Sequence, residues 1–368
     1  MRKGIAAIAQ LRSTSNKYHN LRDVAYCARL AVEQQACMLF LPECFGFLGE
    51  SSEQTLAEAE DPKYLWWEKH NNHDTDDEQQ QHQKEAITSM LKETIQSTNP
   101  YNRSAVGIDD IPTISEDNDF VPNVISILDG LRVIAQTSGL WISGGGLHMA
   151  NAPVSNEGKP RVYNTHIIMD HHGIIRTCYN KIHLFDVDIP GQVSLKESAT
   201  TAPGTDYIIC ENTPLGTLGL TTCYDVRFPE QFQTLRKMGA DVLLVPSAFT
   251  VPTGSAHWHT LLKARAIETQ CYVLAAAQYG RHNVKRTSFG HALAVDPWGT
   301  VLADAGGYSN HNHSNNNNTP KEGTALFPPS IVTAEIDLDY LRDVRQRMPI
   351  ETHRANALAA MEQIDQKS

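Results

Sequence analysis

Apolar and polar residues follow one another along this chain in a pattern that predicts strands and helices in turn. The runs GIAAIAQL at 4–11 and CMLFLPE at 37–43 are typical of buried strands. Between them, apolar residues from Leu21 to Gln35 recur at helical spacing. A helix over 124–138 and the strand LWISGGGLHM then repeat this order. Strands separated by helical segments predict a layered α/β fold.

The second half of the chain continues the alternation. A hairpin is predicted over 163–181 with its turn at Gly173, and LGTLGLTTC predicts a strand that ends at Cys223. Pro229 and Gly239 predict the start and the end of the following helix. Further elements are predicted in this order: the strand DVLLVPSAF, a helix over 258–269, the strand CYVLAAAQ, a hairpin turning at 296–299 and the strand IVTAEIDL.

Two polar segments interrupt this pattern. The stretches at about 61–118 and 309–323 are rich in His, Asn, Asp, Gln and Ser, and they lack the apolar content that offsets the entropy of ordering. We interpret both as surface insertions without a role in the chemistry, the first containing a short helix around 85–95. The length then fits one domain over 1–350, followed by a C-terminal tail at 351–368.

Charge and cysteine content narrow the functional classes. The net charge of −11 disfavours a general binder of nucleic acids or anionic membranes, although a local Arg or Lys can still hold an anionic substrate. Seven cysteines without a CxxC pair favour a reducing compartment over a disulfide framework. No apolar run is long enough to span a bilayer. The location predicted is the cytoplasm, with the mitochondrion as an alternative because the first 22 residues carry five basic and no acidic side chains.

Three chemically able side chains follow predicted strands directly. Glu43 follows LFLP, Lys181 follows IIRTCYN and Cys223 follows LGLTT. Strand ends are where α/β proteins build their active sites. Taken singly, each residue has an ordinary explanation: a buried cysteine, a solvated glutamate or a surface lysine.

Taken together, the three residues suit the cleavage of an amide. Glu43 can accept the proton of the Cys223 thiol as general base and return it to the leaving amine. Lys181 can lower the pKa of the cysteine and stabilise the oxyanion, with the Tyr224 N–H as a second donor. The intermediate would be a thioester that water hydrolyses.

The segments around these residues resemble a known family. LPECFGFLGE, YNKIHLFDVDIPG and GLTTCYDVRFPE are similar to the three signature segments of the nitrilase superfamily of carbon–nitrogen hydrolases. The resemblance implies a four-layer α-β-β-α sandwich that forms a homodimer and needs no cofactor. It implies Glu43, Lys181 and Cys223 as the catalytic triad. It also implies a role for Glu197, in SLKESATTAPG, in positioning Lys181 or the substrate; the alternative is a plain loop carboxylate.

Later segments narrow the branch. The stretch from SAHWH to GTVLA, at 255–303, is similar to the branch that contains the deaminated-glutathione amidases. The implied reaction yields 2-oxoglutarate and cysteinylglycine and repairs a by-product of metabolism. An ω-amidase acting on 2-oxoglutaramate is the nearest alternative, and nitrile hydrolysis is a weaker one. A catalytically silent binding protein with the same fold is the alternative from another class.

Secondary candidates each have two explanations. Arg227 can clamp a substrate carboxylate or form an ion pair with Asp225 or Glu230. Phe249 can line the pocket or belong to the core. For His257 and His259 the sequence offers no Cys or carboxylate partner at a closing spacing, so no metal site is predicted. The run GGG at 144–146 lacks the context of a phosphate-binding loop and predicts close backbone packing.

Overall fold

A computed structural model gives the architecture and describes residues 3–63, 65, 78–96, 126–189, 193–308 and 328–365. Two mixed β-sheets lie face to face, and helices cover the outer face of each. The predicted four-layer α-β-β-α sandwich is confirmed.

The first sheet is built around the N-terminal strand, which pairs in parallel with the second strand and antiparallel with the last. Its strands are, from edge to edge, β13 (Thr287–Phe289), β12 (Ala277–Arg281), β1 (Lys3–Leu11), β2 (Met38–Leu41), β3 (Trp141–Ala152), β4 (Arg161–Met169) and β5 (Ile175–Asn180), with β16 (Ser330–Asp337) paired to β1. Helices α1 (Lys17–Glu33), α3 (Glu78–Gln96) and α4 (Ile127–Ser138) pack on it, and α2 (Ser52–Ala57) follows β2.

The second sheet has six strands. They are, in order, β15 (Val301–Asp304), β14 (Leu293–Val295), β11 (Tyr272–Ala275), β10 (Val242–Leu244), β9 (Gly216–Leu220) and β8 (Ile208–Thr213). Helices α5 (Pro229–Lys237) and α6 (Val251–Thr269) cover its outer face, while α7 (Leu338–Arg347) and α8 (Ile350–Asp365) follow β16. A separate hairpin of β6 (Asp186–Ile189) and β7 (Val193–Lys196) follows Lys181.

Alternation along the strands explains the layering. In β1, Ala6 and Ile8 belong to the core between the sheets, whereas Ala7 and Ala9 belong to the core under α1, α3 and α4. Successive side chains of a strand point to opposite faces, so a strand covered on both faces must be apolar throughout. This is why the run GIAAIAQL has no polar residue before Gln10.

The polar insertion predicted at 61–118 needs a correction. Its residues 78–96 form the helix α3, longer than the predicted 85–95, and Ile87, Leu91 and Ile95 are buried in the core shared with α1 and α4. These three residues recur every four positions and form one apolar stripe on an otherwise polar helix. The interpretation as a surface insertion is therefore wrong for this helix. The remainder of the segment, apart from its first residues, and the segment 309–323 lie outside the described residues.

The C-terminal tail predicted at 351–368 also contains structure. Helix α8 begins at Ile350, and the Arg354 guanidinium donates to the carbonyl oxygen of Glu268 over 2.7 Å. In contrast, the predicted hairpins are confirmed, with turns at Gly173 and at 296–299. Helix α5 starts at Pro229 as predicted, while α6 starts at Val251, seven residues earlier than predicted.

All seven cysteines are free thiols. Among the described residues, every helix is too short or too polar to cross a membrane.

Candidate active site

Three connections at one end of the two facing sheets bring Glu43, Lys181 and Cys223 together. Glu43 follows β2, Lys181 follows β5, and Cys223 follows β9 in the other sheet. The two sheets approach closely here because Gly145 of β3 has no side chain: a Cβ on it would lie 2.2 Å from the Pro246 Cβ. Gly146, at φ +69°, packs against the backbone of Glu43 in the same way. The close packing predicted for the GGG run is confirmed.

Lys181 is held between two carboxylates. Its Nζ lies 3.0 Å from Oε1 of Glu43, and 3.0 and 2.9 Å from the two carboxylate oxygens of Glu197. The lysine side chain is only 2% exposed. Buried charges persist when they are paired and hydrogen-bonded, and this ammonium uses its donors on both partners.

Glu197 lies at the start of a short 3-10 helix, Glu197–Ala199, directly after the β6–β7 hairpin. Besides Lys181, its Oε2 accepts a hydrogen bond from the Phe185 N–H over 2.7 Å. The carboxylate thus fixes both the ammonium and the loop that follows it. This arrangement favours positioning of Lys181 over a plain loop carboxylate.

Cys223 occupies a sharp turn. Its φ is +51°, in the left-handed region that a residue with a side chain rarely adopts, and its N–H donates to the Pro246 carbonyl over 2.9 Å. A 3-10 helix, Cys223–Arg227, begins at this residue and leads into α5. The Asp225 N–H donates to the Thr222 carbonyl over 3.1 Å. The Tyr224 N–H lies between the N–H groups of Cys223 and Asp225 along the chain, in the first turn of this helix, where backbone donors have no partner within the helix. The turn places the sulfur just beyond the end of β9, as a nucleophile elbow does.

Asp225 holds this turn in place through hydrogen bonds of its carboxylate. From the sequence it was considered only as an ion-pair partner of Arg227. It is fully buried. One carboxylate oxygen accepts from the Tyr179 hydroxyl over 2.7 Å and from the Thr222 N–H over 2.8 Å. The other accepts from the His183 N–H over 3.1 Å and is 2.8 Å from His183 Nδ1. The carboxylate therefore joins the turn that carries Cys223 to the loop that carries Lys181.

Glu43 has two further partners. Asn164 of β4 donates to its Oε1 over 2.9 Å, and the Ala248 N–H donates to its Oε2 over 3.1 Å. The charge of this carboxylate also acts on the Cys223 thiol and raises its pKa. Glu43 is 4% exposed, so these partners rather than water stabilise its charge.

The electrostatics follow from this packing. Burial would raise the pKa of Glu43, but the charge of Lys181 and the hydrogen bonds from Lys181 and Cys223 outweigh it and hold the pKa below its usual value. Burial opposes ionisation of Lys181 as well, yet Glu197 and Glu43 raise its pKa well above the usual range. Both residues are therefore ionised at neutral pH.

Lys181 lowers the pKa of Cys223, as predicted, but two opposing effects outweigh it. Burial raises the pKa of the thiol well above its usual value, and the Glu43 carboxylate raises it further, against the pull of Lys181. One ammonium faces two carboxylates here, so the cluster already carries one negative charge before the thiol ionises. The resting state is a neutral thiol beside an ionised base.

Arg227 does not pair with Asp225, whose oxygens are bound elsewhere. Its guanidinium lies 5.7 Å from the centre of the Tyr224 ring and 5.6 Å from that of the Phe249 ring, and its nitrogens are 3.3 Å from His257 Nδ1. Phe249 is 8% exposed and packs on Trp258. Phe249 therefore belongs to the core and also supports the guanidinium.

The sequence of this chain is similar to those of known carbon–nitrogen hydrolases. The family profile described as carbon-nitrogen hydrolase matches residues 5–346. The chain belongs to this family. It is 35% identical to the deaminated glutathione amidase of Homo sapiens over 350 residues, which are 95% of this chain and 82% of that protein. The deaminated glutathione amidase of Synechocystis is 34% identical over 355 residues, 96% of this chain and 99% of that protein.

Solved structures of the nitrilase superfamily share the fold of this carbon–nitrogen hydrolase. The Caenorhabditis elegans NitFhit protein superposes with a TM-score of 0.67 at 33% identity, covering 97% of this chain and 66% of that one. Saccharomyces cerevisiae Nit3, a member of branch 10 of the superfamily, superposes with a TM-score of 0.61 at 23% identity, covering 94% of both chains.

Sequence reasoning missed two residues that complete the site of this hydrolase. Asn164 lies within β4, where a polar residue gives no signal that it faces a partner from another strand. Gln278 donates to the backbone carbonyl of Glu43 over 3.0 Å and to the Ser13 hydroxyl over 2.7 Å. Gln278 could have been found from the sequence, because it is a polar residue at the end of the apolar run CYVLAAAQ, as Glu43 is at the end of CMLFLPE.

Proposed function

We propose that the protein is an amidase that hydrolyses deaminated glutathione to 2-oxoglutarate and cysteinylglycine. One observation carries the proposal: proteins named deaminated glutathione amidase, from mammals to a cyanobacterium, match about 95% of this chain at 34–35% identity. The geometry around Glu43, Lys181 and Cys223 supports the chemistry that this reaction needs.

In the first half of the reaction, Glu43 takes the proton of the Cys223 thiol as the sulfur attacks the amide carbon. The directions of the two pKa shifts support this transfer, since Glu43 is the ionised group and Cys223 the protonated one. The developing oxyanion is stabilised by the Lys181 ammonium and the Tyr224 N–H. Glu43 then gives the proton to the departing amine, and cysteinylglycine leaves a thioester on Cys223.

In the second half, water enters the site and Glu43 acts as base again. Hydroxide adds to the thioester carbon, the same donors stabilise the oxyanion, and the thiolate leaves. The proton held by Glu43 returns to the sulfur, so 2-oxoglutarate is released and the resting thiol is restored. Glu197 accepts hydrogen bonds from Lys181 on both carboxylate oxygens and serves as its positioning residue.

The substrate is an anion, and we assign recognition of a substrate carboxylate to Arg227. Its guanidinium is partly exposed, rests between two aromatic rings and can present two parallel N–H donors. Phe249 supports it from the core side. A 2-oxo acid moiety would thus be held near Cys223 while its amide carbon faces the sulfur.

The test offers deaminated glutathione and 2-oxoglutaramate in parallel to the full chain and follows release of 2-oxoglutarate. A preference for the glutathione derivative of at least 100-fold in kcat/KM is expected. Cys223→Ala is the blank, and Cys37→Ala is the matched control because Cys37 lies at the start of β2, away from the site. A preference for 2-oxoglutaramate would make the protein an ω-amidase with the same triad. No turnover of either substrate by a folded protein would overturn the proposal.

We propose in addition that the protein is a homodimer formed through its helical faces and acts in the cytoplasm or the mitochondrion. The family fold supports the former, and seven free thiols support a reducing compartment. Light scattering of the purified chain tests the first part, and a dimer that dissociates only below micromolar concentration is expected.

A further inference from the structure

A second cluster of metal-ligating side chains lies apart from the triad, on the outer face of the second sheet. His259 belongs to α6, His291 to the connection between β13 and β14, and Asp304 to the end of β15. His259 Nε2 is 2.8 Å from Asp304 Oδ2, and His291 Nδ1 is 2.9 and 3.0 Å from the two oxygens of the same carboxylate. The three ligand atoms all lie within 4.8 Å of one another.

The two imidazoles approach the carboxylate from different directions. Their ring centres are 4.7 Å apart and the ring planes are inclined by 78°. The side chains of His259, His291 and Asp304 are 38%, 23% and 28% exposed, so solvent and ions have access to the atoms between them. Two imidazole nitrogens and a carboxylate oxygen that converge on one point form a donor set suited to zinc and its neighbours rather than to magnesium or calcium.

The backbone holds two of the three residues in place. The Trp258 indole N–H donates to the His291 carbonyl over 2.9 Å, and the His291 N–H donates to the Gly306 carbonyl over 2.9 Å. The Gly306 N–H in turn donates to Asp304 Oδ1 over 2.9 Å. His291 has a φ of +58°, a strained conformation for a residue with a side chain. Such surrounding hydrogen bonds orient ligands in metal sites.

We propose that His259, His291 and Asp304 bind Zn²⁺, or a divalent transition-metal ion of similar preference, and that the ion braces helix α6 against the β14–β15 hairpin. The fourth position faces solvent and takes a water molecule. Ligand atoms around tetrahedral zinc lie about 3.3 Å apart. The three ligand atoms here lie within 4.8 Å of one another, so the two histidines must close by at most about 1.5 Å. The side chain of His259 is the most exposed of the three and can make this movement.

Binding exchanges two hydrogen bonds for three coordinate bonds. To bind the ion, each imidazole must offer the lone pair of the nitrogen that faces Asp304, so the only ring proton it keeps is on its other nitrogen. No metal site was predicted at His259 because its carboxylate partner, Asp304, lies 45 residues further along the chain.

The test uses the full chain carrying Cys223→Ala, which removes the site thiol as a competing ligand, after treatment with EDTA and dialysis. Zn²⁺ binding is measured by equilibrium dialysis and its effect on the melting temperature by thermal denaturation. At 100 times Kd we expect a rise of about 3–4 °C in the melting temperature. The same concentration of Mg²⁺ should leave the melting temperature unchanged.

Two further variants locate the site. His259→Gln retains a donor toward Asp304, so the metal-free protein should melt within about a degree of its parent, yet Zn²⁺ should bind at least 10-fold more weakly. Asp304→Asn should weaken Zn²⁺ in the same way. His171→Gln, on the exposed turn between β4 and β5, is the matched control and should bind like the parent. The proposal is overturned if both cluster variants bind Zn²⁺ as tightly as the parent, if Mg²⁺ acts equally, or if the parent takes up no zinc at about 0.1 mM, in which case the cluster only forms hydrogen bonds.

Discussion

The side-chain amide of Asn164 donates to Oε1 of Glu43 over 2.9 Å, the same oxygen that accepts from Lys181. Glu43 therefore depends on a neutral donor from another strand as well as on the ammonium. Asn164 also lies 3.4 Å from Oε1 of Glu197, so it contacts both carboxylates that hold the lysine. A neutral donor at this position stabilises two charges without adding a third.

Replacing Asn164 by Leu keeps the volume and removes the donor. The Glu43 carboxylate then loses one of its hydrogen bonds, so its pKa rises and the acid limb of kcat/KM moves to higher pH. We expect kcat to fall about 10-fold or more, because the carboxylate loses a contact that holds it in position. A pH–rate profile of the variant checks this. Asn180→Leu is not a suitable control, because Asn180 accepts a hydrogen bond from Thr165. An unchanged acid limb would show that Asn164 is only a packing residue.

Replacing Glu43 by Gln should affect amide hydrolysis and alkylation of Cys223 differently. With a preformed thiolate, both would change together. Amide hydrolysis should fall about 10³-fold because the base is lost. Alkylation of Cys223 by iodoacetamide should instead persist, with an apparent pKa lower than in the parent, because the carboxylate that raises this pKa has been removed. Mass spectrometry of the Cys223 peptide between pH 5 and 10 measures the rate.

The control for this experiment is Glu230→Gln, an exposed carboxylate at the start of α5. It should leave both hydrolysis and alkylation unchanged. If alkylation in the Glu43 variant instead declines in step with hydrolysis at every pH, the carboxylate does not raise the pKa of the thiol.

The positions of Glu43, Lys181 and Cys223 at strand ends could be predicted from sequence, but the charge balance among them could not. Apolar runs that end in Glu43, Lys181 and Cys223 identify strand ends, and strand ends meet at one edge of a fold. The pKa of Cys223 depends on how many carboxylates surround one ammonium, and Glu197 joins them only through the β6–β7 hairpin. Spacing along the chain does not show how many charged side chains surround Cys223 in the fold.

The strands were predicted more accurately from the sequence than the helices. Strands with continuous apolar runs were predicted well because burial on both faces leaves a clear signal. Helix α3 was underestimated because the spacing of Ile87, Leu91 and Ile95 is hidden among polar residues. Helix α6 was predicted too short, since Val251, Pro252 and Gly254 at its start are poor helix formers that Pro at the first turn and tertiary packing accommodate.

Replacing Lys181 by Met leaves the buried Glu43 and the partly buried Glu197 without their cation. Breaking a buried pair in this way costs about 3–5 kcal/mol of unfolding free energy at pH 7. The loss should be smaller at pH 5, because a carboxylate without its cation has a raised pKa and takes up a proton. Urea unfolding at both pH values measures this, and Lys196→Met, an exposed lysine, is the control. An equal loss at both pH values would contradict the charge argument.

Replacing Arg227 by Lys tests recognition of the substrate carboxylate. A lysine keeps the charge but cannot form a bidentate pair or rest flat between Tyr224 and Phe249. We expect KM to rise about 10-fold with kcat within about 3-fold, the pattern of lost uniform binding. Steady-state kinetics check this, with Arg176→Lys on the exposed side of β5 as control. A lower melting temperature with an unchanged KM would make Arg227 a structural residue instead.

The acid side of the stability profile should be set by buried histidines before the triad carboxylates titrate. Burial lowers the pKa of His166 and of His282 to about 4, and each ring is neutral and bonded to a serine hydroxyl. In the unfolded chain a histidine has a pKa near 6.5, so the unfolded state binds more protons between pH 6.5 and 4, and stability falls as the pH falls through this window. The contribution of Glu43, whose pKa is lowered, is instead retained until the pH falls below about 4.5.

Each of these histidines should cost about 2 kcal/mol on going from pH 7.5 to pH 5. Burial also lowers the pKa of His148 to about 4, so three histidines contribute. Urea unfolding at the two pH values measures the total, and His166→Gln should remove about a third of the pH dependence, whatever it does to the stability at pH 7.5. His171→Gln, on the exposed turn, should leave the dependence as it is in the parent. A parent protein with equal stability at pH 7.5 and 5 would mean that these rings remain accessible to protons in the folded state.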